Sequence, residues 1–267
     1  MKEHATDDSR NAQPISGPVL DLAHGLAREL AAQGAKAVML TGSQARGDAY
    51  PQSDIDIIAI GPISGYRPSL REKHLVSVSW RTEDDIRESF RKPSDAGEII
   101  PAMRSALAIY DPKGLAAQLK REAEAWTWDD IGDRCDKWVA DEITGYAEEV
   151  HRLVGHLRLG HTWVAAVQRF VLSCRMGVIL SVHLRILYET ENRLWDLVAR
   201  AMGDRWTKAQ GASFGTGGQS FDETCAAALE LYALTASKIR HLLDEVQYDI
   251  VANACEMAGH PLRGRTV

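Results

Sequence analysis

Asp54 and Asp56 stand in the run Ser53-Asp54-Ile55-Asp56, at the start of an apolar stretch from Ile55 to Ile60. In an extended strand, side chains two apart leave the same face, so the two carboxylates would be displaced by about 6–7 Å along one side of the strand. Ile55 and Ile57 would then turn to a core. Paired hard oxygen donors suit Mg²⁺, which keeps part of its water and completes its shell with substrate phosphates. Upstream, Gly42 and Ser43 follow directly on the strand-like run Ala37 to Leu40. A glycine there lets backbone approach a ligand closely, and N–H groups opening a short helix can cradle anionic oxygens. The Ser43 hydroxyl can donate to a terminal phosphate oxygen. Arg46, one turn further on, can neutralise part of the same polyphosphate or pair with Asp48. Together these residues describe an ATP-like triphosphate held at a turn, with metal between its phosphates and Asp54 and Asp56. The chemistry this arrangement serves is in-line attack on phosphorus.

The elements that must position these groups are legible around them. Pro18 to Gln33 reads as a helix with the apolar stripe Val19, Leu22, Ala23, Leu26, Ala27 and Leu30, Ser16 as an available cap and Gly34 as its stop. Gly61, Pro62, Gly65 and Pro68 read as a loop. Leu75 to Trp80 reads as a third strand, Glu83 to Phe90 as a short helix, and Ala106 to Tyr110 as a fourth strand closed by the turn Asp111-Pro112-Lys113-Gly114. Strands interleaved with helices indicate an α/β domain. Beyond residue 115 the pattern becomes helical: 115–128, 134–158, 162–202 and 222–257, with Gly155 and Gly160 as boundaries of one turn and Gly177 dividing the third stretch. Region 204–220, with glycines at 211, 215, 217 and 218, reads as a long connection that lacks the Lys-Ser/Thr ending of a P-loop. The expected fold class is therefore α/β plus all-α. A mixed-sheet catalytic domain would cover 17–115 and a helical bundle 116–259, with mobile tails at 1–16 and 260–267.

The string Gly42-Ser43-Gln44-Ala45-Arg46-Gly47-Asp48, followed by Ser53-Asp54-Ile55-Asp56, resembles the signature of the nucleotidyltransferase superfamily that includes DNA polymerase beta. It looks most like the small bacterial members that modify antibiotics such as aminoglycosides and lincosamides. The resemblance implies that Gly42 and Ser43 form the phosphate-holding turn and that Asp54 and Asp56 are metal ligands; of the two, Asp56 is expected nearest the transferred phosphorus. It also implies transfer of a nucleoside monophosphate, usually AMP, from Mg-NTP to a hydroxyl of a small molecule, with the helical half binding the acceptor. Family members commonly add a third carboxylate from a neighbouring strand, as metal ligand or base. The matching segment here, His74 to Trp80, turns Ser77 and Ser79 to the site instead. Three explanations stand: a shifted acid at Glu83, Asp84 or Glu98; an acid from the helical domain at Glu142, Glu148 or Glu149; or a protein that binds nucleotide and has lost efficient catalysis. Transfer to a protein or tRNA acceptor, as in toxin-antitoxin pairs, is the alternative reaction.

Composition bounds the partners. The 267 residues are 45% hydrophobic and 25% charged, with 31 Lys plus Arg against 37 Asp plus Glu and a formal charge of −6. No broad basic surface for nucleic acid is implied, and a small or cationic acceptor fits better. The acidic stretch Asp141 to Glu149 would attract a polycation or be an ordinary solvated helix face. Cys135, Cys174, Cys225 and Cys255 lack Cys-x-x-Cys spacing and read as free thiols, and the histidines form no His-Glu-x-x-His arrangement. The tryptophans concentrated after residue 125 read as packing residues, one or two of which could wall an acceptor pocket. No signal-like N-terminus and no run approaching about 18 uncharged apolar residues are read. The expectation is a cytoplasmic protein with no membrane association, of a length compatible with a homodimer.

Overall fold

The structure, a computed structural model, describes residues 17–262. Ser16 and the expected tails at 1–16 and 263–267 lie outside the described residues. His260, expected in the C-terminal tail, donates its N–H to Cys255 O at 2.9 Å. The chain divides into two compact units, one of residues 17–91 and 98–126, the other of 92–97 and 127–262.

The first unit is built on a five-stranded mixed sheet in the order β3-β4-β2-β1-β5. Its strands are β1 (Ala37–Thr41), β2 (Ile55–Ile60), β3 (Gly65–Arg71), β4 (His74–Arg81) and β5 (Leu107–Tyr110). Helix α1 (Gly17–Ala32) lays Val19, Ala23, Leu26, Ala27 and Leu30 in one core with Val38, Leu40, Ile55, Ile57, Ala59, Val76, Val78 and Trp80. The alternate residues of β2 and β4 thus enter this core, and Asp56 and Ser77 are left to the other face. Burial of the core residues, at roughly 1.5–3 kcal/mol per large aliphatic side chain, fixes the pleat and hence the face on which the carboxylates stand. The five-residue helix α2 (Gly42–Arg46) joins β1 towards β2. Helices α3 (Glu83–Arg91), α4 (Pro93–Ser105) and α5 (Leu115–Ala125) follow β4 and β5. Helix α5 falls within the first unit, although the sequence reading ends the catalytic domain at 115; its residues Ala116, Leu119 and Ala123 are fully buried.

The second unit is helical: α6 (Gly132–Gly145), α7 (Ala147–Arg158), α8 (Thr162–His183), α9 (Glu191–Met202), α10 (Asp204–Ser213), α11 (Phe221–Ile239) and α12 (Glu245–Met257). Helix α8 runs through its centre, against α6, α7, α9 and α11. By length and composition α8 could cross a bilayer, contrary to the expectation that no segment would qualify. It carries Arg169 and Arg175, and Leu172, Met176, Ile179 and Leu180 are fully buried in the unit. All four cysteines are free, as expected.

Four local readings are corrected. Residues 65–71, read as a loop from Gly65 and Pro68, form β3. Pro68 is tolerated there because β3 is an edge strand whose outer side asks for no ladder donor. Residues 204–213, read as part of a connection, form α10, anchored by Trp206, which is 1% exposed. Gly155 lies inside α7, and the break in 134–158 falls at Tyr146 instead. Gly177 does not divide α8; the ring of Trp195 occupies the space beside it, and a Cβ there would come 2.6 Å from the indole.

The β3–β4 hairpin turns on Glu72 and Lys73, at φ 49° and 69°, with Arg71 paired to His74. Two left-handed residues without glycine are unusual in such a turn. Lys73→Gly is expected to stabilise the protein by about 1 kcal/mol by removing the Cβ clash, read as a raised melting temperature. A lowered one would contradict this geometry.

Candidate nucleotide and metal site

The antiparallel pairing of β1 with β2 sets Thr41 opposite Asp56, and the chain then leaves β1 into α2 at Gly42. Thr41 Oγ1 donates to Asp56 O at 3.4 Å, which ties the two strand ends together. Gly42 has φ +67°, and a Cβ at this position would overlap Asp56 Oδ2 outright and sit 3.2 Å from Cγ. The glycine is therefore required twice, for its left-handed backbone and for the carboxylate lying against its Cα. Gly47, at φ 78°, ends α2, where Gly47 N–H and Asp48 N–H both donate to Ser43 O, at 3.0 and 3.1 Å. The first N–H groups of such a turn have no intrahelical acceptor.

Asp54 is delivered to the start of β2 by a tight turn. Ser53 N–H donates to Tyr50 O at 2.8 Å, and Tyr50 N–H donates to Ser53 Oγ at 3.0 Å, with Ser53 buried. Asp54 and Asp56 are both half-buried and flank the core-facing Ile55. Burial pushes the Asp56 carboxyl up to about 6, the negative charge of Asp54 adds to the rise, and the positive charge of Arg46 opposes it. Arg46 itself pairs with Asp48 at 3.2 Å, one of the two roles its position allowed, and from there still acts on Asp56.

The five residues singled out in the sequence are thus gathered at the shared end of β1 and β2. Two carboxylates, one with its pKa raised by burial and then by the charge of the other, stand beside a turn of backbone donors and fit a hard divalent cation: they supply oxygen ligands and negative charge that a cation would relieve. Among the described residues no group of three His, Cys, Asp or Glu forms at this or any other place. The third-acid candidates in the first unit stand elsewhere. β4 runs parallel to β2 with Ser77 beside Asp56 and Arg81 beside Ile60. Glu83 and Asp84 therefore follow the far end of β4, roughly 13 Å along the sheet at about 3.3 Å per residue. Glu83 is also engaged by Lys36 and Arg87, at 3.1 and 3.6 Å. Glu98 is exposed on α4.

In the second unit Glu142 pairs with Arg175 at 3.0 Å, Glu148 and Glu149 with Arg152, and Asp141 with Lys137 at 2.8 Å. Each carboxylate of the stretch 141–149 thus has a basic partner, with Arg152 shared by Glu148 and Glu149. Of the tryptophans, Trp126 and Trp206 are buried packing residues, and Trp195 packs on Gly177 and edge-on to Phe214. Tyr66 falls in the segment read as a loop and stands on β3. Its hydroxyl lies 2.9 Å from Ser77 Oγ. The alternation of Tyr66, Pro68 and Leu70 with Arg67, Ser69 and Arg71 was the signal that could have placed it on a strand.

The raised Asp56 pKa has a signed consequence. Without metal the folded state holds this proton to a higher pH than the unfolded chain, so the associated stability is complete below about 3.8 and is lost as pH rises through about 6. Asp56→Asn is expected to raise the metal-free stability at pH 8 by on the order of 1–2 kcal/mol after discounting for the solvent that reaches the group, read as a higher melting temperature, with the gain vanishing towards pH 4. A variant less stable than the parent at pH 8 would contradict the electrostatics described.

Residues 25–138 match the model of the nucleotidyltransferase domain family. No curated protein matches the chain. Among solved structures it is similar to a nucleotidyltransferase-like protein from Exiguobacterium sibiricum 255-15, at 11% identity and a TM-score of 0.50, with 83% of this chain and 78% of that chain covered. Identity at that level speaks for a common fold alone, and the activity rests on the domain match, which contains both the Gly42 turn and the paired aspartates. Residues 25–138 are thus similar to a nucleotidyltransferase domain, a likeness that supports nucleotidyl transfer as the activity.

Proposed function

We propose that the protein transfers a nucleoside monophosphate, AMP from ATP in the first instance, to a hydroxyl of a small molecule, with Mg²⁺ as cofactor and pyrophosphate as the leaving group. The observation that supports this reading is the close approach of the Asp56 carboxylate to Gly42, at the turn that opens a short helix. Asp54 and Asp56 would hold the cation, which when bound supplies charge neutralisation for the phosphates. The N–H groups of the turn at Gly42 and Ser43 and the Ser43 hydroxyl bind phosphate oxygens. Arg46, fixed by Asp48, adds positive charge at the same end of the sheet. Asp56 is the carboxylate nearest the transferred phosphorus, and the acceptor oxygen attacks in line with the departing pyrophosphate.

The helical residues 127–259 are proposed to bind the acceptor, a small hydroxylated molecule of the aminoglycoside or lincosamide kind, in the cytoplasm. The local pairing of residues 141–149 removes one reason to require a polycation. With Ser77 in register with Asp56, no acid stands at that position, and the base is proposed to come from elsewhere in the chain. The same serine favours a second reading, a nucleotide-binding protein with degenerate catalysis. Binding of NTP without pyrophosphate release across a broad panel of hydroxylated antibiotics would select it.

The direct check is metal-dependent nucleotide binding by the purified chain. Asp54→Ala/Asp56→Ala is expected to weaken it about 100-fold or more, since both ligands of the cation are removed. Undiminished metal-dependent binding by the double variant would exclude the site.

A further inference from the structure

Ser77 pairs with Asp56 in the parallel β2–β4 ladder, so the two side chains leave the sheet on the same face from strands about 4.8 Å apart. That face is opposite the one where Ile55, Ile57, Val76 and Val78 enter the core. Ser77 is nevertheless only 7% exposed, and its Oγ lies 2.9 Å from the hydroxyl of Tyr66. Tyr66 itself is 62% exposed on the edge strand β3, so its ring has little packing role there. An exposed tyrosine whose hydroxyl is tied to a buried serine costs rotamer freedom on a surface strand. What it accomplishes is to fix the orientation of one hydroxyl next to Asp56.

A serine hydroxyl offers one donor and two acceptor positions, and the contact with Tyr66 uses one of them. Tyr66 is the side-chain partner recorded for Ser77 among the described residues. Ser77 stands in register beside Asp56 with hydrogen-bonding capacity to spare, and among the described residues no third acid groups with the two aspartates. A small divalent cation held by two carboxylates keeps several waters, and each of those waters donates hydrogen bonds that need acceptors.

We propose that Ser77, fixed by Tyr66, is a positioning residue for the divalent cation of Asp54 and Asp56, accepting a hydrogen bond from the cation's retained water at the place where a third carboxylate would otherwise stand. This rests on the metal site proposed above. Such an outer partner sets the orientation of the shell without contributing charge, so the site is built for weaker cation binding than a three-carboxylate set.

The test is Mn²⁺ binding to the full chain without nucleotide, measured by calorimetry at pH 7.5, with circular dichroism confirming the fold of each variant. Ser77→Ala is expected to weaken binding about 10-fold, Tyr66→Phe to weaken it by less, and Ser77→Thr, which keeps a hydroxyl, to restore it. Ser77→Asp adds an anionic ligand and is expected to tighten binding at least about 10-fold; if it does not fold, Ser77→Ala and Tyr66→Phe decide. If Asp54→Asn/Asp56→Asn abolishes binding while Ser77→Ala and Tyr66→Phe bind as the parent does, this proposal is overturned and the metal site stands. If binding in the parent does not depend on the two aspartates, both fall together.

Discussion

The carboxylate of Asp56 lies against the Cα of Gly42, and the rest of the first unit is arranged so that it can. The pairing of Thr41 with Asp56 brings the two strand ends side by side, and the absence of a Cβ at Gly42 leaves room for the acid. The core beneath decides which way each residue of β2 points: a one-residue slip would send Asp56 into the cluster of α1 and expose Ile55 and Ile57. Stability of the hydrophobic face and placement of the acids are thus one constraint. Burial, and after it the charge of Asp54, raises the Asp56 pKa and leaves a deficit of positive charge that a cation and Arg46 can fill.

What was legible in the sequence followed from local periodicity. The two-residue spacing of Asp54 and Asp56 and the apolar residues between them predict a shared face, and Ile55 and Ile57 do enter the core. The stripe of α1 is equally local, and five of its six residues are buried. The Gly42-Ser43 turn after a buried strand could be read because glycine at that point has few other uses.

What was not legible depended on distant pairings. Pro68 and Gly65 argue for a loop until it is known that β3 occupies the edge of the sheet, where missing donors cost little. Gly177 reads as a helix breaker until Trp195 is seen to fill its place. The pairing of Arg46 with Asp48 is one of two roles that spacing alone left open. The register of β4 against β2 decided that Ser77, not Glu83 or Asp84, stands next to Asp56, and no short window of sequence contains that information. Tyr66 was hidden for the same reason.

A crystal structure of the protein with Mn²⁺ and a non-hydrolysable ATP analogue tests the central claim most directly, because the cation can be located by its anomalous scattering. The account predicts manganese within coordination distance of both Asp54 and Asp56, with the analogue's phosphates on the backbone N–H groups at Gly42 and Ser43. Manganese bound away from either aspartate, or phosphates seated away from that turn, would contradict it.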